Sequence, residues 1–188
     1  MAALTEEQTV LKEQAKSWAA DEAPVAQFRA MRDSGNPVGF DKATWDSIGK
    51  MGWAGIVVPE TFGGAEMGFL TCGVVLEELG RQLTASPLLA SGLVAATALV
   101  KSGSEAQKET WLPKIADGSA ILTLAVDEGP RHAPHQIETK AEASDGGFRL
   151  TGQKVHVLEG FSAEAFIVSA RTRGETGSPD GVSLFLVP

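Results

Sequence analysis

The 188 residues predict an α+β protein, an all-helical N-terminal domain over residues 1–118 followed by an antiparallel β-domain over residues 119–188. Two observations carry that prediction. Up to Gly118 the apolar residues recur at helical spacing and the punctuation is capping chemistry; beyond Gly118 the period changes to short β-prone runs separated by turn residues. A third supports it: 43% hydrophobic and 21% charged residues are ordinary globular usage, enough for a chain of this length to bury a core.

Thr5 and Gln8 have the spacing of a capping box, and Leu11, Ala15 and Trp18 fall on one face of the helix that follows. Gly35-Asn36-Pro37 breaks the pattern before a second helix, which Asp41 caps and whose Trp45, Ile48 and Met51 face the core. Gly52 to Pro59 is a short apolar run ended by proline. The glycine-rich Phe62–Gly68 stretch reads as a loop with positive φ angles, since both GxxxxGK[ST] and GxGxxG are absent. Leu70 to Leu83 predicts a helix with Val75, Leu76 and Leu79 inward and Glu77-Glu78 on its solvated edge. A buried helix opens at Ser86-Pro87, runs through Val100 and ends at Gly103. Ser104 with Gln107 repeats the capping-box form, and Pro113 should shorten or kink the helix that follows before Gly118.

In the second half, Ile121–Val126, Ile137–Ala143, Phe148–Thr151, Ala165–Val168 and Val182–Val187 read as strands, with Asp145-Gly146-Gly147 a hairpin turn. Arg173 to Gly181 is a polar loop. Five short strands leave open sheet edges, so association or a covering element is expected.

Lysine plus arginine number 16 against 24 aspartate plus glutamate, a net charge of −8, which argues against binding a phosphate backbone. One cysteine, Cys72, excludes an intrachain disulfide and any multi-thiolate metal centre. The opening residues lack the basic start and apolar run of a secretory signal, and Leu88–Val100 is too short and interrupted to span a bilayer, so a cytoplasmic protein is expected.

Three segments in order, Gly52-Trp-Ala-Gly-Ile-Val-Val-Pro-Glu-Thr-Phe-Gly-Gly-Ala65, Leu76-Glu-Glu-Leu-Gly80 and Gly103 to Gly118, resemble the N-terminal helical domain of acyl-CoA dehydrogenases. Leu150-Thr-Gly-Gln-Lys154 and Phe166-Ile-Val-Ser-Ala-Arg171 resemble the middle β-domain of the same family, so the resemblance covers nearly the whole chain. It implies an FAD flavoprotein that oxidises an acyl-CoA thioester to the α,β-enoyl-CoA and passes electrons to an electron-transfer acceptor, as a homo- or hetero-oligomer. In that chemistry a glutamate removes the α-proton and the β-hydrogen leaves as hydride to the flavin, which carries the redox step.

The resemblance also implies where the flavin lies. Leu124, Val126 and Asp127 correspond to the motif on its pyrimidine side, and His156, Val157 and Leu158 to the motif beside its ring. Both depart from the family pattern. Asp127 stands where a threonine hydroxyl usually addresses the pyrimidine, and a carboxylate there opposes the charge of reduced flavin unless it is protonated or paired, for example with Arg131 or a histidine. The small glycine and serine positions of the first motif are bulkier here. His156 replaces an aromatic ring and can still stack, and Leu158 offers N5 only its backbone N–H. The family's catalytic glutamate belongs to a C-terminal helical domain beyond these 188 residues, so no catalytic residue is assigned. A non-catalytic partner subunit of a mixed assembly and a flavin-dependent monooxygenase are the alternative functions.

The remaining candidates have plainer explanations. His132-x-x-His135 with Asp127 and Glu128 lacks the helical register that converges metal ligands. Cys72 and the four tryptophans are core residues. Lys154 is a structural strand residue of the family.

Overall fold

The computed structural model describes residues 3–188, so the Met1-Ala2 start of the leader reading lies outside it. The chain divides into two compact units, Met1–Ile121 and Leu122–Pro188.

The first unit is helical throughout. Helix α1 (Glu6–Glu22) starts at the capping box: Gln8 N–H donates to Thr5 Oγ1, and the Gln8 side chain accepts from Thr5 N–H. Helices α2 (Val25–Asp33) and α3 (Lys42–Lys50) follow, the latter capped by Asp41, whose carboxylate accepts from Thr44 N–H. Trp45 and Ile48 of α3 are buried, whereas Met51 is not; it caps the helix and lies 43% exposed. Two single 3₁₀ turns, Trp53–Gly55 and Glu60–Phe62, lead into α4 (Gly68–Arg81).

On α4, Glu77 is exposed as expected but Glu78 is not. Its side chain is 2% exposed, with Arg81 Nε at 3.2 Å and Lys12 Nζ of α1 at 3.7 Å, so two cations replace the water that a solvated edge would have supplied. Cys72 is buried on the same helix, and burial pushes its thiol up to about 11. The buried helix of the sequence reading is two kinds of turn in succession, a π-helix over Leu88–Ala95 continuing into α5 (Ala96–Ser102). Helix α6 (Glu105–Ala116) carries the second capping box and accommodates Pro113 inside its last turn, ending at Asp117.

The core of this unit is built on Trp53, Ile48, Ile56, Leu88, Leu112 and Ile115. Trp18 stands edge-on to Trp53, with ring centroids 5.2 Å apart. Trp45 Nε1–H donates to Gly118 O at 2.9 Å, and a Cβ on Gly49 would lie 2.6 Å from Asp117 O, so α3 rests directly against the turn that ends the unit.

The second unit is one five-stranded sheet: β1 (Leu122–Ala125), β2 (Lys140–Ser144), β3 (Gly147–Thr151), β4 (Ala165–Arg171) and β5 (Val182–Val187). It is mixed, which corrects the all-antiparallel expectation. The β2–β3 hairpin and the β4–β5 pair are antiparallel, but β1 runs parallel to β4 from Leu122↔Ala165 to Ala125↔Val168, and β2 meets β4 in parallel at Lys140↔Arg171. The local turn Asp145-Gly146, with Gly146 at φ +82°, forces the hairpin; the direction of β4 beside β1 depends on the 39 residues between them.

Arg171 closes the end of β4. It is buried, and its guanidinium donates to five backbone carbonyls: Ile137, His135, Arg173, Ser178 and Asp180. The loops before β2 and before β5 are thereby tied to one side chain.

Candidate functional site

Two non-regular segments of the second unit run side by side, residues 126–137 after β1 and residues 152–160 after β3. Val155 N–H donates to Asp127 O at 2.8 Å, which places the two predicted clusters next to each other. Leu124 is on β1, and Val126 and Asp127 continue from its end; all three are half-buried. His156 and Leu158 are exposed and Val157 half-buried on the facing segment. Thr123 Oγ1–H donates to Leu158 O at 2.6 Å, fixing the far end of that segment to β1.

The staple holding the segments together is Lys154, and it is not a strand residue as the family reading had it: it lies between β3 and β4. Its ammonium, on a side chain 8% exposed, donates to Glu128 Oε1 at 2.6 Å, Ser169 Oγ at 2.9 Å and Val126 O at 3.0 Å. Glu128 in turn accepts from Glu138 N–H and Thr139 N–H, so one ion pair joins the end of β1, the start of β2 and the interior of β4. Burial alone would push the Glu128 carboxyl up, but the hydrogen bonds from Lys154, Thr139 and the Glu138 amide together hold it below the usual carboxylate range.

Asp127 finds the partner its charge requires in His132. His132 Nδ1 lies 3.0 Å from Oδ1 and 3.2 Å from Oδ2, and Ala133 N–H also donates to Oδ1 at 3.3 Å. The hydrogen bond with His132 is the main reason the Asp127 carboxyl sits below its ordinary value; burial opposes it, while the Ala133 amide and the charges of His132 and His156 reinforce it. Asp127 is therefore ionised and partnered. Beside it, Glu128, Gly129, Pro130, Arg131, Gln136 and Glu138 line most of an open pocket of about 310 Å³.

His156 sits at φ +53°, a left-handed conformation costing about 1–2 kcal/mol for a side chain with a Cβ. Glu159 (φ +54°) shares it, and between and beyond them Leu158 is 56% and Phe161 93% exposed. The segment is bent so that an imidazole and two large apolar side chains project outward. Burial raises the Glu159 carboxyl, with Ser162 opposing through a hydrogen bond.

The structure thus brings the six sequence-predicted residues onto two adjoining segments. It adds Glu128, His132, Ala133 and Lys154, which sequence reasoning passed over or gave a bland role. The His132 position five residues after Asp127 was the available signal for the pair, and nothing in spacing marks Glu128 with Lys154. Among the described residues no cluster of three or more histidine, cysteine or carboxylate side chains is arranged to hold a metal ion, and no helix is long and apolar enough to cross a membrane.

The residues present accommodate a flavin in part. The Leu158 backbone N–H and the exposed His156 ring are available on one segment, while Asp127 offers a carboxylate in place of a hydroxyl on the other.

Comparison with known proteins bears on the family and the fold. Residues 5–119 match the acyl-CoA dehydrogenase N-terminal domain. The mitochondrial isovaleryl-CoA dehydrogenase of Arabidopsis thaliana is 32% identical over 185 residues, which is 96% of this chain and 44% of that protein. The ChsE4-ChsE5 complex from Mycobacterium tuberculosis superposes with a TM-score of 0.82 at 31% identity, over 100% of this chain and 48% of the matched one. A structure described as an FAD-dependent dehydrogenase gives a TM-score of 0.79 at 26% identity, again over 100% of this chain and 48% of its own. The chain spans a little under half the length of these relatives. Matching sequence across the helical unit and a matching fold across both units lead to one conclusion: the chain belongs to the acyl-CoA dehydrogenase family.

Proposed function

We propose that this chain is the N-terminal and middle portion of an acyl-CoA dehydrogenase-like flavoprotein of the cytoplasm. Its substrate is an acyl-CoA thioester, oxidised at the α,β-position, with an electron-transfer acceptor and an oligomeric assembly as partners. FAD supplies the hydride acceptor; the residues of this chain bind and orient it. Leu124, Val126 and Asp127 take the pyrimidine side and His156, Val157 and Leu158 the ring. The observation that carries this reading is the left-handed backbone at His156, which turns its ring outward on a segment stapled through Lys154 to the end of β1. The FAD-dependent dehydrogenase of like fold supports the cofactor. None of the 188 residues is given the role of the base that removes the α-proton.

The test is reconstitution. Purified full-length protein, incubated with FAD and desalted, retains about one flavin per chain and quenches flavin fluorescence. A preparation that arrives without flavin and cannot be loaded overturns the cofactor reading.

A second reading has a specific observation behind it. The ionised Asp127 in place of a hydroxyl, together with a structural relative that is a complex of two different proteins, fits a partner subunit in a mixed acyl-CoA dehydrogenase assembly. Flavin present only after mixing with a second family member, and never in the isolated chain, would favour it. Oxygen consumption with reduced flavin and no enoyl-CoA product would instead identify a flavin-dependent monooxygenase.

A further inference from the structure

We infer that α2 is a latch, opening as one piece between joints at Ala23-Pro24 and Gly35–Gly39 while α1, α3 and α4 stay folded, and uncovering a crevice lined by Thr44, Thr84 and Ala85. The motion is confined to the helical unit, so it does not depend on whether FAD binds.

Helix α2 is held unlike its neighbours. Buried residues anchor α1 through Ala15 and Ala19, and α3 through Thr44, Trp45, Ile48 and Gly49, whereas no residue of α2 is buried. Val25, Gln27, Phe28 and Met31 are half-buried; Ala26, Arg29, Ala30, Arg32 and Asp33 are exposed. Both α1 and α3 begin at side-chain caps, but α2 begins at Pro24, whose side chain cannot accept from the first N–H groups. Among the described residues one hydrogen bond joins an α2 side chain to another helix, from Gln27 Nε2–H to Thr44 Oγ1 at 2.9 Å. A helix of nine residues is too short to persist in water by itself, so α2 stays helical only while this thin contact holds it.

The contact is also incomplete. Phe28 and Met31 share with Thr44, Thr84 and Ala85 a crevice of about 10 Å³, room for about one water. Thr84 Oγ1 is buried without a hydrogen-bond partner among the described residues. Closing α2 keeps that hydroxyl from water without replacing its hydrogen bonds, and opening α2 returns it to solvent. The joints favour movement too. Every residue from Arg32 to Gly39 is exposed, and Gly35 (φ +69°) and Gly39 (φ +83°) take left-handed angles in open space, with no atom within 4 Å of an added Cβ. Beyond them, Asp41 caps α3 by accepting from Thr44 N–H and Thr44 Oγ1–H, bonds that do not involve α2, so α3 keeps its start when the latch opens.

Hydrogen exchange of the full chain at neutral pH, read amide by amide by NMR, tests this motion. In wild type the amides of residues 29–33 are expected to exchange about 100-fold faster, or more, than those of Ile48 and Gly49 in α3, after correction for intrinsic rates. Ala30→Gly, at an exposed position, weakens the helix without touching its contact and should speed all the α2 amides alike, by about fivefold. Ile48→Val, in the core, should speed α3 by about fivefold and leave α2 unchanged. Equal protection of α2 and α3 in wild type overturns the latch. So does an Ala30→Gly effect limited to amides beside position 30, which is fraying, or an Ile48→Val effect as large on α2 as on α3, which makes the two helices one cooperative unit.

Discussion

Replacing Lys154 by methionine removes a charge from the middle of the β-unit while keeping most of its side-chain volume. Three hydrogen bonds are lost, to Glu128 Oε1, Ser169 Oγ and Val126 O. The larger effect falls on Glu128, whose side chain is 12% exposed and would be left without a counter-ion. Breaking a buried pair from one side typically costs about 3–5 kcal/mol. Glu128 keeps two backbone donors, Glu138 N–H and Thr139 N–H, so the expected loss lies at the lower end, about 3 kcal/mol. Glu128→Gln in the Lys154→Met background then costs less than the sum of the single changes, with a coupling of about 2 kcal/mol. All four tryptophans lie in the helical unit, so their fluorescence reports on that unit; hydrogen exchange of the β4 amides during urea unfolding reads the sheet. The sign in acid follows from the depressed Glu128 carboxyl. Its contribution is fully present above about pH 4.3, the ordinary glutamate value, and is lost as pH falls through the lower folded value. Wild type and Lys154→Met should therefore converge in stability in that acid range. A Lys154→Met protein within about 1 kcal/mol of wild type at neutral pH, or a cycle with no coupling, would refute the assignment of this pair as the staple.

Three further outcomes follow from the packing. Arg171→Lys keeps the charge but offers three donors where five carbonyls are served, so it should cost about 2 kcal/mol or more and speed proteolysis within residues 173–181, read by limited digestion. Gly64→Ala places a Cβ 2.1 Å from Val58 O, a backbone atom that cannot swing aside; a loss of about 1–3 kcal/mol in urea unfolding, followed by tryptophan fluorescence, is expected. Cys72, buried and with its thiol pushed up to about 11, should resist maleimide at neutral pH in the native protein and label readily in guanidinium, as mass spectrometry would show.

Where local chemistry decides structure, the amino-acid pattern was a good guide. Thr5 with Gln8, Ser104 with Gln107, and Asp41 each cap a helix because a side-chain oxygen three residues from an orphan N–H reaches it with little help from the rest of the fold. Asp145-Gly146 makes a hairpin for the same reason. The departures are a helix end and places where a distant element decides. Met51 has the helical spacing of Trp45 and Ile48, but it is the residue on which α3 ends, where the chain turns at Gly52 with φ +73°. Glu78 looks like half of a solvated acidic pair until Lys12 of α1 is seen close to it. The direction of β4 against β1 is invisible in either strand, because each is a short apolar run whose pattern reads the same for both pairings.

The site divides along the same line, and the division explains why its chemistry differs from what resemblance alone suggests. A motif locates backbone: the end of β1 and the bent segment at His156 are adjoining segments, joined where Val155 N–H donates to Asp127 O. A motif does not locate charge. Asp127 in isolation is an anion in a place that calls for a neutral hydroxyl, and taken that way it counts against a flavin. Its carboxylate is instead engaged by His132 and the Ala133 amide, both supplied by the same loop within six residues. Removing the histidine while keeping the aspartate should therefore be more harmful to flavin affinity than replacing the aspartate with threonine, since the first leaves the carboxylate without its hydrogen-bond partner and the second restores a group that both donates and accepts. Substitution of the histidine proving the milder of the two would mean that the carboxylate, not the pair, governs the site.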